Sequence, residues 1–426
     1  MGYLIELEDG KSVEVSIDPY NCSITELKEA IAMCENREEL YYSLEQGAKK
    51  FINSVYGALG NDFYQCKNKD IAESITLQGQ DLIKYSVKVI DKLFTDYWSL
   101  LVKDHVLIAN DMKNKFPDFD VDMFLKLCKN VPDIGKGSQI YGDTDSAYIT
   151  LHPLILSCGI TNEQSTDFIL FFNKYVLSEY LEKCFDKYAE FYNCNKNIEE
   201  FELEKIARTV IMLKKKKYVM DISWKAPNVH LKPLHSITYK GVEIVQGSWP
   251  VFCRSELKEF VIYLLDMLNN NRPIIYSEII KKIKEVKRKF VMQNPNDICK
   301  SNSMSGYEKY VYQDNGEEVE YNDVTIPLHV RAASLYNNML YNGSKQYRSK
   351  YSLIHKGDKV KFYYTLGDSN NNVFAFLPNN FPLEFGPKMD VDMQFEKIIL
   401  DPFNRFIEAV GHNPVGSSLT YTNNLF

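Results

Sequence analysis

Residues 138–151 read SQIYGDTDSAYITL. Two short apolar segments, Ile140-Tyr141 and Ala147-Tyr148-Ile149, flank a polar turn that holds Gly142, Asp143 and Asp145, the pattern of a β-hairpin. Asp143 and Asp145 stand on either side of Thr144. In extended chain, residues i and i+2 point the same way about 6.6 Å apart at a rise of ~3.3 Å per residue, and a turn brings them closer. Two carboxylates at ~4 Å repel by about 4 kcal/mol at an effective dielectric of 20. No basic residue adjoins them in sequence. A divalent cation, or a pair about 3.5–4 Å apart, relieves that repulsion. All-oxygen ligands favour Mg²⁺, which typically also takes substrate phosphates. The competing reading is a solvated hairpin turn.

Outward from this hairpin, helices dominate. Residues 70–98 form an amphipathic helix, with Ile71, Ile75, Leu82, Val87, Ile90 and Leu93 at helical spacing. Residues 24–59 read as helix with a capping start at Ser23 or Thr25, 104–135 as a helical connection, and 165–192 as a second long helix. Residues 199–222 and 235–247 are rich in Val, Ile and Tyr and read as strands of the same sheet as the hairpin. Residues 1–20 read as short strands or irregular chain. Beyond a boundary near Trp249-Pro250 come helices at 255–269 and 276–291, a hairpin signature in YEKYVYQDNGEEVEY, a helix near 328–341, mixed strands and a last helix near 395–410. Helices with a few antiparallel strands define an α+β chain.

Three further constellations carry chemistry. In KKFINSVYGALG (49–60), Lys49, Asn53, Tyr56 and Gly60 fall at i, i+4, i+7 and i+11, one helix face. That face suits a nucleotide: a cation for phosphate, an aromatic plate beside a base, a glycine for close approach. The alternative is a helix end with a solvated lysine and a core tyrosine. In Leu213-Lys214-Lys215-Lys216-Lys217-Tyr218, strand alternation sends Lys215 and Lys217 to one face and Lys214 and Lys216 to the other. Four buried ammonium groups are prohibitive, so one pair at least faces water or anions; a nucleic-acid backbone is the natural anion, a lysine-guarded edge strand the alternative. In Phe201-Glu202-Leu203-Glu204-Lys205-Ile206, two acids precede the lysines and either approach the aspartates or neutralise the cations.

Composition sets the limits. The 426 residues are 45% apolar and 25% charged, which excludes disordered and fibrous classes and fits two or three domains. No apolar run reaches the ~20 residues of a membrane span, and the start, MGYLIELEDGKSVEV, turns acidic too early for a signal peptide. Nine cysteines lack any CxxC pair, against a zinc site or disulfide framework and consistent with a reducing cytosol. The net charge of −7 argues only weakly against nucleic acid, because the charge is unevenly spread.

The order of the motifs resembles the C-terminal half of family B DNA polymerases. YGDTDS matches the family's palm motif without departure, and the Lys49–Gly57 stretch its fingers motif, K-x3-N-S-x-Y-G. KKKKY differs from the common KKRY only by Lys217, an ammonium in place of the guanidinium that makes a bidentate phosphate contact. TYKGVEIVQGSWP (238–250) is similar to the K-G-x-E segment leading into the thumb. VDMQFEKIILDPFNRFIEA (391–409) and the ending SSLTYTNNLF resemble the enzyme of T-even-type phages, which ends in a clamp-binding peptide. The resemblance implies partial fingers at 1–64, a palm with an antiparallel sheet at 65–250, a mixed α/β thumb at 251–412 and a clamp-binding tail at 413–426. It implies Asp143 and Asp145 at a two-metal Mg²⁺ site, Thr144 by the primer end, and Lys49 and Asn53 at the incoming dNTP. It sets Tyr56 and Gly57 against the nascent base pair, Lys215, Lys216, Lys217 and Tyr218 on primer–template DNA, Glu204 near the metals, and Leu419, Tyr421, Leu425 and Phe426 in a sliding clamp. It also implies a bacteriophage protein working in the cytoplasm of an infected cell.

One departure outweighs the others: the family's D-x2-S-L-Y-P-S motif, which brings another aspartate upstream of the fingers motif, is absent. Ala333-Ser334-Leu335-Tyr336-Asn337 echoes it without its Asp or Pro and after the palm motif, and Asp118 to Asp122 fall between fingers and palm motifs. The exonuclease acids are absent as well. The expectation is half of a polymerase, either a split enzyme whose N-terminal polymerase/exonuclease half is a separate chain, or a fragment; Met1 and the unmatched residues before the fingers motif lean toward the split gene. The alternative class is a non-catalytic DNA-binding or clamp-tethering module of polymerase shape. A reverse transcriptase fits less well, since its turn carries adjacent aspartates.

Overall fold

The computed structural model describes residues 3–6, 12–15, 21–129, 138–143, 146–199, 201–226, 228–314, 317–320, 326–367 and 372–420. By its internal contacts the chain divides into two compact units, residues 1–206 with 224–230, and residues 207–223 with 231–426.

In the first unit, β1 (Tyr3–Glu6) and β2 (Ser12–Val15) pair antiparallel. Helix α1 (Ile24–Leu59) begins at Ser23, whose Oγ accepts from the Glu26 amide while the Glu26 carboxylate accepts from the Ser23 amide, the reciprocal cap expected there. Helix α2 (Lys69–Lys92) starts on an Asn68 side-chain cap and continues through a π turn (Leu93–Tyr97) and a 3₁₀ turn (Trp98–Leu100). In place of one connection over 104–135 stand α3 (Val102–Lys115) and α4 (Val121–Cys128), separated by a segment containing Pro117 and restarted by an Asp120 cap. The central hairpin is β3 (Gln139–Asp143) and β4 (Ser146–Ile149). Then come α5 (His152–Ser157), α6 (Ser165–Phe172), a π turn (Asn173–Leu177) and α7 (Ser178–Phe191).

The core of this unit is aromatic: Trp98, Phe124, Phe168, Phe172 and Phe185 are fully buried, each stabilising the fold by about 1.5–3 kcal/mol. Hydroxyls tie α2 to α7, Tyr180 donating to the Val89 carbonyl and Tyr85 to that of Cys184, both at 2.9 Å.

The second unit opens on the hairpin of β5 (Lys205–Lys214) and β6 (Lys217–Lys225), strands along which the chain crosses the division. Strand β6 also pairs with β7 (Val229–His230) through Trp224 and Lys225, and with β8 (Ile237–Lys240) through Tyr218–Asp221. Next are α8 (Val251–Asn269), α9 (Tyr276–Val291), the short α10 (Pro295–Ile298), β9 (Lys300–Ser303), the hairpin β10 (Val311–Asp314) and β11 (Glu317–Glu320), α11 (Leu328–Asn342) and α12 (Lys345–Lys350). Strands β12 (Lys359–Tyr364) and β13 (Val373–Phe376) form a three-stranded sheet in the order β13-β12-β9. Helix α13 (Val391–Phe395), a π turn (Glu396–Leu400), α14 (Asp401–Ala409) and a 3₁₀ turn (Ser417–Thr420) complete it. Its core gathers Phe290, Tyr336, Tyr363, Phe374, Phe395 and Phe403.

The α+β class therefore holds, with small antiparallel sheets between helices. One sheet joining 138–151 to 199–247 does not form: among the described residues β3 and β4 pair only with each other, and β5 to β8 make a separate sheet. A register shift between Gln139 and Tyr141 leaves Ile140 as the extra residue, a bulge that disrupts the β3–β4 ladder locally before it resumes at Gln139 and Ile149. Residues 243–245, expected as strand, close into a 3₁₀ turn. No helix among the described residues is long and apolar enough to cross a membrane, and the cysteines among them whose side chains are described are free.

His105 is 1% exposed, its ring 4.4 Å from that of Trp98, and burial lowers its pKa to about 4. The unfolded chain takes up a proton near pH 6.5 that the fold refuses, so stability falls with pH between about 6.5 and 4, by about 3 kcal/mol in all. Chemical unfolding followed by tryptophan fluorescence across pH 7 to 4 is expected to show this slope, and His105→Phe to flatten it. An unchanged slope in that variant would remove His105 as its origin.

Candidate active site and nucleic-acid interface

The hairpin that carries the acids is held on α2. Across the strands, Asp143 pairs with Ser146 and Tyr141 with Tyr148, whose rings stand 5.2 Å apart. A Cβ at Gly142 would come within 3.0 Å of Gln139 Nε2 and 3.6 Å of the Ile83 side chain of α2, so the strand lies close on that helix where glycine allows it. The backbone of Asp143 thus ends a pinned strand; its side chain, and all of Thr144 and Asp145, lie outside the described residues. Among the described residues no group of three or more His, Cys, Asp or Glu is arranged to hold a metal ion. Glu204 is exposed, one residue before β5, and its carbonyl accepts from the Ala226 amide at 3.0 Å.

The nucleotide-type face is intact as a helix face. Helix α1 runs unbroken through Lys49, Asn53, Tyr56 and Gly57, all exposed. Gly60 caps its end rather than continuing it. Lys49 pairs with Glu45 at 2.6 Å, both side chains more than half exposed. Such a surface pair is worth about 0–1 kcal/mol, so an arriving phosphate displaces it at little cost. The Tyr56 hydroxyl lies 2.6 Å from Thr76 Oγ1 on α2, fixing the ring's far end. A Cβ at Gly57 meets nothing within 4 Å, leaving that surface open.

The lysine run departs from the strand pattern expected of it. Lys214 ends β5, Lys217 begins β6, and Lys215 and Lys216 form the turn between them, Lys216 with φ +62°. The turn exposes Lys214, Lys215 and Lys216. Lys217 folds inward, its ammonium 3.2 Å from Glu243 Oε1, and Tyr218 is buried. The turn is fixed from behind by Gly241, at φ +63°, whose missing Cβ would stand 2.2 Å from the Lys216 carbonyl oxygen. The Lys240-Gly241-Val242-Glu243 segment thus supports the lysine turn twice, through a glycine that lets the chains touch and a carboxylate that holds Lys217.

Glu243 is 2% exposed and takes a second cation, Arg405 of α14, on the same oxygen. Burial alone pushes its carboxyl up, but its own backbone hydrogen bond and the charges of Arg405 and Lys217 outweigh this and hold it below the usual value. Arg405 was not a sequence-derived candidate; its one signal is a basic residue among the buried Phe403, Phe406 and Ile407 of α14. Leu419 lies in the final 3₁₀ turn with its side chain outside the described residues, as are Tyr421, Leu425 and Phe426 entirely.

In the first unit an acid-bearing hairpin on a helix and a cationic helix face, and in the second a lysine turn, are each suited to nucleotides or nucleic acid. The sequence model of DNA polymerase family B matches residues 25–399, and the chain belongs to that family. It is 29% identical over 54% of its length to the DNA polymerase of Choristoneura biennis entomopoxvirus, and 22% identical over 88% of its length to the DNA polymerase alpha catalytic subunit of Dictyostelium discoideum. To the DNA-directed DNA polymerase of Enterobacteria phage T4 it is 21% identical over 73% of its length. The matched regions span 22%, 19% and 30% of those proteins respectively, less than a third in each case.

Gly241→Ala tests the support of the lysine turn. A non-glycine residue in this left-handed conformation costs roughly 1–2 kcal/mol before the clash with Lys216 is counted. The variant is expected to lower the denaturant midpoint by at least that energy with an unchanged slope, and to speed proteolysis after Lys215 or Lys216. A variant as stable as the parent would separate the turn from Gly241.

Proposed function

We propose that this chain carries out template-directed DNA synthesis, the transfer of a deoxynucleotide to a primer 3′-hydroxyl, as the fingers-helix, palm and thumb part of a replicative DNA polymerase. The observation that carries the reading is the complete YGDTDS sequence on a hairpin pinned to α2, within a chain of family B. Family B polymerases use divalent metals, and the carboxylates of Asp143 and Asp145 are hard oxygen donors that fit Mg²⁺. Metals held there would supply stabilisation of the attacking and leaving oxygens. The chain's own residues do the positioning. Lys49 and Asn53 face the triphosphate, Tyr56 and Gly57 bound the nascent base pair, and Thr144 sits by the primer end. Lys215 and Lys216 reach the duplex backbone from their exposed turn, with Lys217 and Tyr218 as the turn's rooted end. Glu204 lies toward the acids. The subdomains follow the family pattern, partial fingers at 1–64, palm at 65–250, thumb at 251–412, and a tail at 413–426 whose Leu419, Tyr421, Leu425 and Phe426 engage a sliding clamp.

The missing aspartate and the exonuclease come, in this reading, from a second polypeptide. Support lies in α1, which leaves Ile24, Leu40, Leu44, Phe51 and Ile52 more than half exposed. An exposed apolar surface of this extent marks an interaction site. The viral relatives favour action in the cytoplasm of an infected cell.

Primer extension decides between this reading and a non-catalytic, clamp-tethering module. The chain alone is expected to extend nothing. Extension is expected when a polypeptide carrying D-x2-S-L-Y-P-S is added, and Asp143→Ala is expected to abolish it. Synthesis that survives Asp143→Ala would assign this chain to the non-catalytic module.

A further inference from the structure

Behind the lysine turn, the second unit holds a cavity of about 380 Å³ lined by Met212, Leu213, Lys214, Lys217, Arg405, Glu408 and Ala409. Three of the lining side chains are cations. Two of them, Lys217 and Arg405, share one oxygen of the buried Glu243, so the inner wall keeps one uncompensated positive charge. The other Glu243 oxygen is buried without a hydrogen-bond partner among the described residues. Exposed Lys214 and exposed Glu408, one charge of each sign, also line it. Arg405 is 39% exposed and spends its fork on Glu243 through Nη1 alone in the described contacts. A guanidinium carries five donors in a plane, so it can hold the carboxylate and still present donors to an anion.

We infer that this cavity seats one phosphate of the duplex DNA backbone, and that Arg405, from a helix far away in sequence, supplies the guanidinium that the turn lacks because Lys217 stands in it. The inference rests on the polymerase reading and adds a residue and a site to it. The chemistry favours a phosphodiester. Its single charge matches the single excess cation of the inner wall, and its two free oxygens suit a planar fork beside an ammonium. Glu243 holds Lys217 and Arg405 at the wall.

The test is the binding of a fluorescein-labelled primer–template duplex by the full chain, read by anisotropy as a function of KCl. Arg405→Gln is expected to weaken binding about tenfold and to make the log Kd against log salt slope shallower by about one, the loss of one phosphate contact. Arg405→Lys keeps the charge and the slope but loses affinity. Glu408→Gln, on the exposed face of α14, removes that lining anion and is expected to tighten binding a few-fold. This is an effect in the opposite direction that a folding defect does not produce, and it decides the matter if Arg405→Gln fails to fold. Should both variants bind like the parent while Lys215→Ala binds more weakly, the cavity is not a phosphate site although the polymerase reading stands. Should the parent chain bind no duplex at all, both fall together.

Discussion

A carboxylate buried to 2% exposure is tolerable only when cations pay its desolvation, and Glu243 has two. The arrangement fixes more than its own energy. Lys217 must root the hairpin at β6, Arg405 must bring α14 beside it, and Gly241 must lie against the Lys216 carbonyl for the 3₁₀ turn at Glu243 to reach both. Removing Glu243 would leave Lys217 and Arg405 facing each other with no anion between them, and breaking a buried ion pair in this way typically costs several kcal/mol. The sheet, the turn and the last long helix of the second unit are therefore locked in one geometry by one functional group. The consequence outside is an exposed cluster of ammonium groups on a rigid base, the form in which lysines best serve a phosphate backbone, since little side-chain and backbone freedom remains to be lost on binding.

Local chemistry was legible and tertiary chemistry was not. The capping box at Ser23, the Asp143–Ser146 hairpin and the unbroken face of Lys49, Asn53 and Tyr56 depend on residues within a few positions of each other, where spacing alone decides. The lysine run misled because four identical residues carry no turn signal: no Asn or Gly marks the position where Lys216 takes a positive φ. What makes that conformation acceptable is Gly241, 25 positions on, and the pairing of Lys217 with Glu243. Arg405 lay beyond reach for the same reason, since its partner is 162 positions away. The expected single sheet does not form among the described residues, and no periodicity argument registers the extra residue at Ile140.

The net charge of −7 illustrates how little an average says. Acids elsewhere are absorbed locally: Asp81 accepts from the Tyr188 and Tyr192 hydroxyls, Asp167 pairs with Lys115, and Asp221 accepts from the Leu234 amide and Asn269. An ion pair such as Asp167 with Lys115 projects little net field. The exposed ammonium groups of Lys214, Lys215 and Lys216 stand together at one turn, and at physiological salt only charges within about 8 Å of an approaching anion matter. A chain acidic overall can therefore present a basic contact to DNA.

Helix α1 poses the reverse problem. It is 36 residues long, about 54 Å, and its apolar side chains occupy two opposite sides. Met33, Leu40, Leu44 and Phe51 fall at i, i+7, i+11 and i+18 on one side, and Ile24, Leu27, Ile31 and Tyr42 at i, i+3, i+7 and i+18 on the other, all exposed. A surface helix needs one apolar stripe; apolar residues on both sides belong to a helix covered from both. The capping box and the contact of Tyr56 with α2 secure its ends, but none of the described side chains in its middle turns is buried, and propensity seldom sustains a helix in water without an apolar face to bury. The same helix carries Lys49 and Asn53, the residues assigned to the triphosphate. Lys49 stands seven residues beyond Tyr42 on that second side, so a surface covering the side must stop short of Lys49 for the proposed nucleotide face to stay open.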